Sequence, residues 1–117
     1  MFSAVARVIP AGSMADDALE DLPLDPTKVV SGDPEVRHLG VYDDDSLTIG
    51  IWQHGIGVST DVEADEVFVV LSGRATIEIE GGPTLDVGPG DIGSYPAGSR
   101  SRWTVHETLR KVYVARP

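Results

Sequence analysis

The strictest constraint in this chain is how often it is interrupted. Residues 74–80 alternate cleanly, with Ala75, Ile77 and Ile79 on one side and Arg74, Thr76, Glu78 and Glu80 on the other. That is the period of two expected of a half-buried β-strand. Gly81 and Gly82 then separate this run from residues 84–87, as in a hairpin turn. Gly88-Pro89-Gly90-Asp91 and Pro96-Ala97-Gly98 break the chain twice more. Turn residues at this density leave no room for a long helix. About ten short strands at close spacing are predicted, which is the pattern of an all-β sandwich or barrel.

The rest of the chain agrees. Residues 2–9 are rich in β-formers and read as a first strand, ending at Pro10-Ala11-Gly12. An acidic segment follows, in which Ser13 and Asp16 have the spacing of a capping box opening a helix of about two turns. Pro23 and Pro26 stop it. Val29-Val30 is a short strand, residues 36–42 another, and residues 47–53 alternate with Leu47, Ile49 and Ile51 on one face. Residues 54–57 read as a loop. Residues 66–71 form a nearly continuous apolar run, as in a strand covered on both faces. Residues 102–107 and 110–115 complete the set. A length of 117 residues holds one core. The predicted organisation is a single domain over 1–117, with an N-terminal strand and acidic segment in 1–28 and a barrel in 29–117.

Charge and composition exclude several functions. With 19 acidic against 9 basic side chains the net charge is −10, which repels polyanions, so nucleic acid is not an expected partner. The absence of cysteine removes disulfides, thiolate chemistry and cysteine-based metal sites. No apolar run approaches the roughly 20 residues that cross a bilayer as a helix, so no membrane partner is expected. The first ten residues lack a basic stretch leading into a long apolar one. A cytoplasmic location is the expectation.

Two stretches carry a resemblance. The first is Asp65-Glu66 followed by the apolar run to Gly73, with Glu66 and Gly73 separated by six residues. The second runs from Gly90 through Pro96 and Gly98 to Trp103. Together with Gly50-Ile51-Trp52, Gly88-Pro89-Gly90-Asp91 and residues 109–113, they resemble the two signature motifs of the cupin superfamily. Within it the pattern is most similar to small single-domain cupins related to ureidoglycine aminohydrolase and the ethanolamine-utilisation cupins. The resemblance covers residues 29–115. It implies a double-stranded β-helix, or jelly-roll barrel, with a short N-terminal helix or loop. It also implies that Glu66 projects into the barrel.

The metal-ligand pattern of that superfamily is not matched. Its histidines would fall on Ser59, Asp61 and Ser101, and a further family histidine on Val112. Transition metals need three or four converging imidazole, carboxylate or thiolate donors. Asp61 and Glu66 with two serine hydroxyls suit at most a weakly held divalent cation such as Mg²⁺ or Ca²⁺. No metal ligand and no cofactor are therefore assigned. His38, His54 and His106 lie elsewhere, with no ligand-like spacing.

A buried carboxylate either protonates or finds a cation. For Glu66 the candidates are Arg37, Arg100, Arg102, Arg110 and Lys111. Glu66 is the candidate catalytic residue. Trp52, Ser59, Asp61, Phe68, Tyr95, Ser101 and Trp103 are the candidate ligand-binding residues. Three functions remain open. The first is a metal-poor cupin binding a small polar organic molecule, as a sensor or pathway accessory. The second is a metal-dependent enzyme of the ureidoglycine aminohydrolase type, which would release ammonia. The third is a metal-free catalyst with Glu66 as general base. Sheet edges and the apolar run from Val67 to Leu71 suggest a homodimer.

Overall fold

Two long strands form the spine of the protein. The computed structural model describes residues 5–117. Within them nine strands make one antiparallel sheet curled into a jelly-roll barrel. They are β1 (Glu20–Asp21), β2 (Val29–Gly32), β3 (Val36–Asp43), β4 (Thr48–His54), β5 (Gly57–Val62), β6 (Asp65–Ile79), β7 (Thr84–Val87), β8 (Ile92–Tyr95) and β9 (Arg100–Arg116). β6 and β9 pair along almost their whole length. The other edge of β9 is shared by β4 and then β5, and the other edge of β6 by β8 and then β7. Each long strand thus takes part in both walls of the barrel, so the walls close on one core. Phe68, Val70, Ala75, Ile77, Tyr95, Trp103, Val105 and Leu109 are buried there.

The sequence pattern divided β6 at Gly73 and β9 near Thr108. In the structure both are continuous. Gly73 adopts φ 85°, and the β6–β9 register shifts on either side of it. The chain bends without leaving the sheet, because a residue lacking Cβ reaches this conformation without strain. A Cβ built at Gly73 would lie 2.1 Å from the Thr108 carbonyl oxygen. The bend also reverses which residues face inward. Phe68 and Val70 are buried before it, Ala75 and Ile77 after it. The apolar run is therefore not covered on both faces, since Val67 is 52% exposed.

Three further expectations are corrected. Residues 2–4 of the predicted first strand lie outside the described residues, and residues 5–9 form no strand. The predicted two-turn helix is a single 3-10 turn, Asp16–Ala18, with Ala15 at its N-cap and no side-chain cap. Its failure to extend has a tertiary cause. Arg110 donates to the carbonyls of Ala11 (2.9 Å) and Met14 (2.8 Å), and the Met14 oxygen is one that a helix capped at Ser13 would need. Leu19 is buried directly after the turn, and Glu20–Asp21 pair with β3. The loop expected at 54–57 shrinks to Gly55 and Ile56, with His54 ending β4 and Gly57 opening β5. No helix among the described residues is long and apolar enough to cross a membrane.

Gly73→Ala combines positive φ with a backbone clash and should lower stability by more than about 3 kcal/mol. Urea unfolding of the variant beside the wild type measures it. An alanine variant of wild-type stability would show that the bend does not depend on glycine.

Candidate functional site

Sheet register decides which side chains share the barrel interior, because residues paired across strands project to the same face. Trp52 on β4 pairs with Lys111 on β9. Ser59 on β5 pairs with Trp103, and Asp61 with Ser101. Glu66 on β6 pairs with Tyr95 on β8. These positions surround a cavity of about 290 Å³, lined by Trp52, Ser59, Asp61, Glu66, Trp103 and Lys111 among others. Leu22, Pro23, Leu24 and Asp25 bring the acidic N-terminal segment onto its mouth, and Glu63, Lys28 and Tyr113 complete the wall.

Of the candidate cations, Lys111 meets Glu66. Its Nζ lies 2.7 Å from Glu66 Oε2, and the two side chains are only 5% and 12% exposed. Lys111 also donates to the Tyr95 hydroxyl (3.1 Å), while that hydroxyl donates to the same Glu66 oxygen (2.8 Å). The ammonium stands 4.6 Å from the ring centres of both Trp52 and Phe68, and 4.8 Å from that of Trp103. Aromatic faces attract a cation most strongly where water is excluded. Burial, together with the nearby Glu63 and Glu66 carboxylates, pushes the Tyr95 phenol far above its usual range. Tyr95 therefore remains a proton donor at any physiological pH.

A second carboxylate faces the cavity. Glu63 Oε2 accepts from Ser101 Oγ (3.0 Å) and Trp103 Nε1 (3.1 Å). Desolvation raises the Glu63 pKa, opposed chiefly by the positive field of Lys111. Behind the wall, His54 is completely buried. Its Nδ1 lies 2.6 Å from the Gly55 carbonyl, which can only accept, so Nδ1 carries the proton. Nε2 then accepts from Ser59 Oγ at 2.8 Å. Burial lowers the His54 pKa, which favours this neutral form. At the mouth, Asp61 pairs with Lys28 at 2.9 Å.

The sequence candidates thus fall into two groups. Glu66, Trp52, Ser59, Asp61 and Trp103 line the cavity. Phe68, Tyr95 and Ser101 stand one layer back: Phe68 under the ammonium, Tyr95 on Glu66, and Ser101 on Glu63. Sequence reasoning missed Glu63, Lys28 and Tyr113. For Glu63 a signal existed, because it continues the parity of Ser59 and Asp61. Nothing local marks Lys28, the last residue of the predicted N-terminal segment. His38 lies at the surface 3.9 Å from Glu20, and exposed His106 meets Thr76. The three histidines do not gather.

A metal does not fit this donor set. Glu66 Oε2 and Asp61 Oδ1 are held by lysine ammonium groups, Ser59 by His54 and Ser101 by Glu63. Among the described residues no three histidine or carboxylate side chains are grouped to hold one ion.

The sequence profile of the EutQ-like cupin domain matches residues 41–113. The fold is similar to that of the EutQ protein of Clostridium difficile, with a TM-score of 0.65 and 18% identity over 82% of this chain and 81% of that one. A protein of unknown function from Rhizobium leguminosarum bv. viciae is 28% identical over 70% of this chain and 81% of its own, with a TM-score of 0.63. Another of unknown function, from Pseudomonas syringae pv. tomato, is 27% identical and has a TM-score of 0.73. The match there covers 82% of this chain and 43% of that one. No curated protein matches the chain.

If Lys111 is the internal counter-ion of Glu66, Lys111→Met should destabilise the fold by about 3–5 kcal/mol, since it leaves a buried carboxylate uncompensated. Adding Glu66→Gln should recover most of that loss. Denaturant unfolding of the two single variants and the double variant measures the coupling. Additive losses would mean that the two groups do not act as a pair.

Proposed function

This chain belongs to the EutQ-like cupin family, and on that premise we propose that its barrel binds a small polar organic molecule without a tightly held transition metal. The observation that carries this reading is the Lys111–Glu66 pair inside the cavity. The carboxylate that the superfamily resemblance assigns to an ion is already neutralised by an ammonium of the same chain. What remains is a concave, aromatic-walled space with a few fixed polar groups, the usual composition of a small-molecule site. Its volume of about 290 Å³ sits at the small end of the range of about 300–1,000 Å³ typical of ligand pockets.

Two alternatives are weaker on the same geometry. A metal-dependent hydrolase of the ureidoglycine aminohydrolase type would need Glu66 to leave Lys111 and distant histidines to converge. Metal-free catalysis with Glu66 as general base would use a carboxylate whose Oε2 already accepts from both Lys111 and Tyr95. The proposed setting is the cytoplasm, consistent with the cysteine-free composition.

The proposal includes a homodimer. Val67 pairs with Val114 on the outer face of the sheet, and Val69 beside them pairs with Ile92. Val67, Val114 and Ile92 are 52%, 40% and 76% exposed. Together they form an apolar patch on an otherwise acidic protein, the kind of surface that marks association sites.

Elemental analysis of the purified protein should find well under one equivalent of transition metal, with a melting temperature unmoved by EDTA. Tryptophan fluorescence should shift saturably with members of a panel of small polar compounds. One equivalent of tightly held metal whose removal lowers the melting temperature would overturn the reading. Separately, Val67→Glu should convert the dimer to a folded monomer in light scattering. A wild-type protein that is monomeric at micromolar concentration would remove the dimer from the proposal.

A further inference from the structure

Two of the four carboxylates around the cavity are ion-paired. Lys28 answers Asp61, and Lys111 answers Glu66. Asp25 at the rim accepts from both the backbone nitrogen and the hydroxyl of Thr27. Glu63 has no ion-pair partner among the described residues, although it lines the same cavity. Its two hydrogen bonds, from Ser101 and Trp103, both end on Oε2. Tyr95 also lies within hydrogen-bonding reach of the Glu63 carboxylate, but its single hydroxyl proton goes to Glu66. Neither the Ser101 nor the Trp103 bond reaches Oε1. No fully buried side-chain oxygen among the described residues lacks a partner. Oε1 is therefore not sealed in protein, and its residue lines the cavity.

The cavity's positive charge, by contrast, is committed. Lys111 directs two of its three N–H bonds to Glu66 and Tyr95, and the ammonium lies against aromatic rings. Lys28 is engaged at the mouth. An incoming anion would find no free cation and would meet a lining of four carboxylates against two ammonium groups. An incoming cation finds an open carboxylate oxygen beside the indoles of Trp52 and Trp103. The Lys111 ammonium already demonstrates that these two rings accept a cation, at 4.6 and 4.8 Å. A charge-assisted bond to a desolvated carboxylate is roughly twice as strong as a neutral hydrogen bond.

Resting on the small-molecule reading above, we propose that the ligand is a small organic cation with N–H donors, of the primary ammonium or guanidinium class. Glu63 is its charge anchor, and Trp52 and Trp103 form its apolar wall. The Ser101 and Trp103 bonds hold the Glu63 carboxylate by one oxygen and aim the other at the ligand.

The test titrates the full chain with n-propylammonium and propylguanidinium, and with butyrate and n-butanol as anionic and neutral counterparts of similar size. It follows the indole N–H resonances of Trp52 and Trp103 by NMR at pH 8. The cations are expected to give saturable shifts and the other two none. Glu63→Gln keeps the shape and, through its amide oxygen, the bonds from Ser101 and Trp103. It is expected to weaken cation binding at least tenfold while the protein stays folded by its melting curve. The pH dependence gives a second readout. The titratable groups facing Glu63 are Lys111, Glu66 and Tyr95, with Asp61 and Lys28 at the mouth and His54 behind Ser59. Because its pKa is raised, Glu63 gains its proton early as pH falls. Wild-type affinity should then drop while the residual affinity of Glu63→Gln stays flatter. Preferential binding of butyrate, or unchanged cation affinity in Glu63→Gln, overturns the anchor and leaves the cavity a ligand site. No response to any probe of either charge, with none from the wider panel of polar compounds, removes the anchor and the small-molecule reading together.

Discussion

The interior of this barrel depends on one buried ammonium. Lys111 is held by a carboxylate, a phenol and three aromatic faces, and the carboxylate would be unfavourable there without it. Glu66 without a cation would be a desolvated charge. Tyr95 needs Glu66 to accept its proton, and Lys111 donates to its oxygen. Trp52 and Trp103 meet edge to face at 5.2 Å, an arrangement that leaves a ring face of each toward the ammonium. The group is cooperative in the sense that its members satisfy one another in a low-dielectric space. It also accounts for a cupin barrel that keeps the glutamate without the histidines. The positive charge is supplied from β9 by the chain itself.

That arrangement is possible only because β6 and β9 run through both walls. Glu66 sits near the start of β6 and Lys111 near the end of β9, where Glu66 pairs with Ala115 and Lys111 with Val70. Antiparallel pairing of two long strands places charges from opposite ends of the domain side by side. Gly73 then lets the same strands bend and deliver Ile77 and Trp103 as one row of core residues beyond the turn. Gly93 contributes in a different way. It lies opposite Phe68 in β8, and a Cβ there would fall 2.3 Å from the ring. The missing side chain gives Phe68 the room to lie beneath the ammonium.

How much of this was legible in the sequence follows from which interactions are local. The period of two at residues 74–80 is local and appears as read. The inward direction of Glu66 came with the cupin resemblance and agrees with its 12% exposure. The choice of Lys111 among five cations was not legible, because it depends on register between strands about 45 residues apart in sequence. The N-terminal segment misled for the same reason. Its capping pattern at Ser13 and Asp16 is a weak local preference, and Arg110, arriving from the other end of the chain, outweighs it by taking the backbone oxygen of Met14. Glu63 continues the parity of Ser59 and Asp61 but lies just past the end of β5, and its carboxylate is held by Ser101 and Trp103.

The contrast between the two glutamates separates what the fold needs from what a ligand would use. Glu66 has its charge answered inside the chain and fixes the Tyr95 hydroxyl, so its burial is explained by structure alone. Glu63 has donors on one oxygen, no ion-pair partner and a pKa raised by desolvation. A protein selected only for stability would replace such a group with its neutral isostere, because an uncompensated charge in a poorly hydrated wall weakens the fold above its pKa. The same reasoning does not apply to Asp61, which is nearly half exposed and is answered by Lys28. A carboxylate kept in a destabilising place, with an open oxygen beside two indoles, is what physical chemistry expects of a group retained for a partner outside the chain. The scaffold alone assigns no chemistry. In this barrel the assignment rests on Glu63, a desolvated carboxylate in the cavity wall without an ion-pair partner among the described residues.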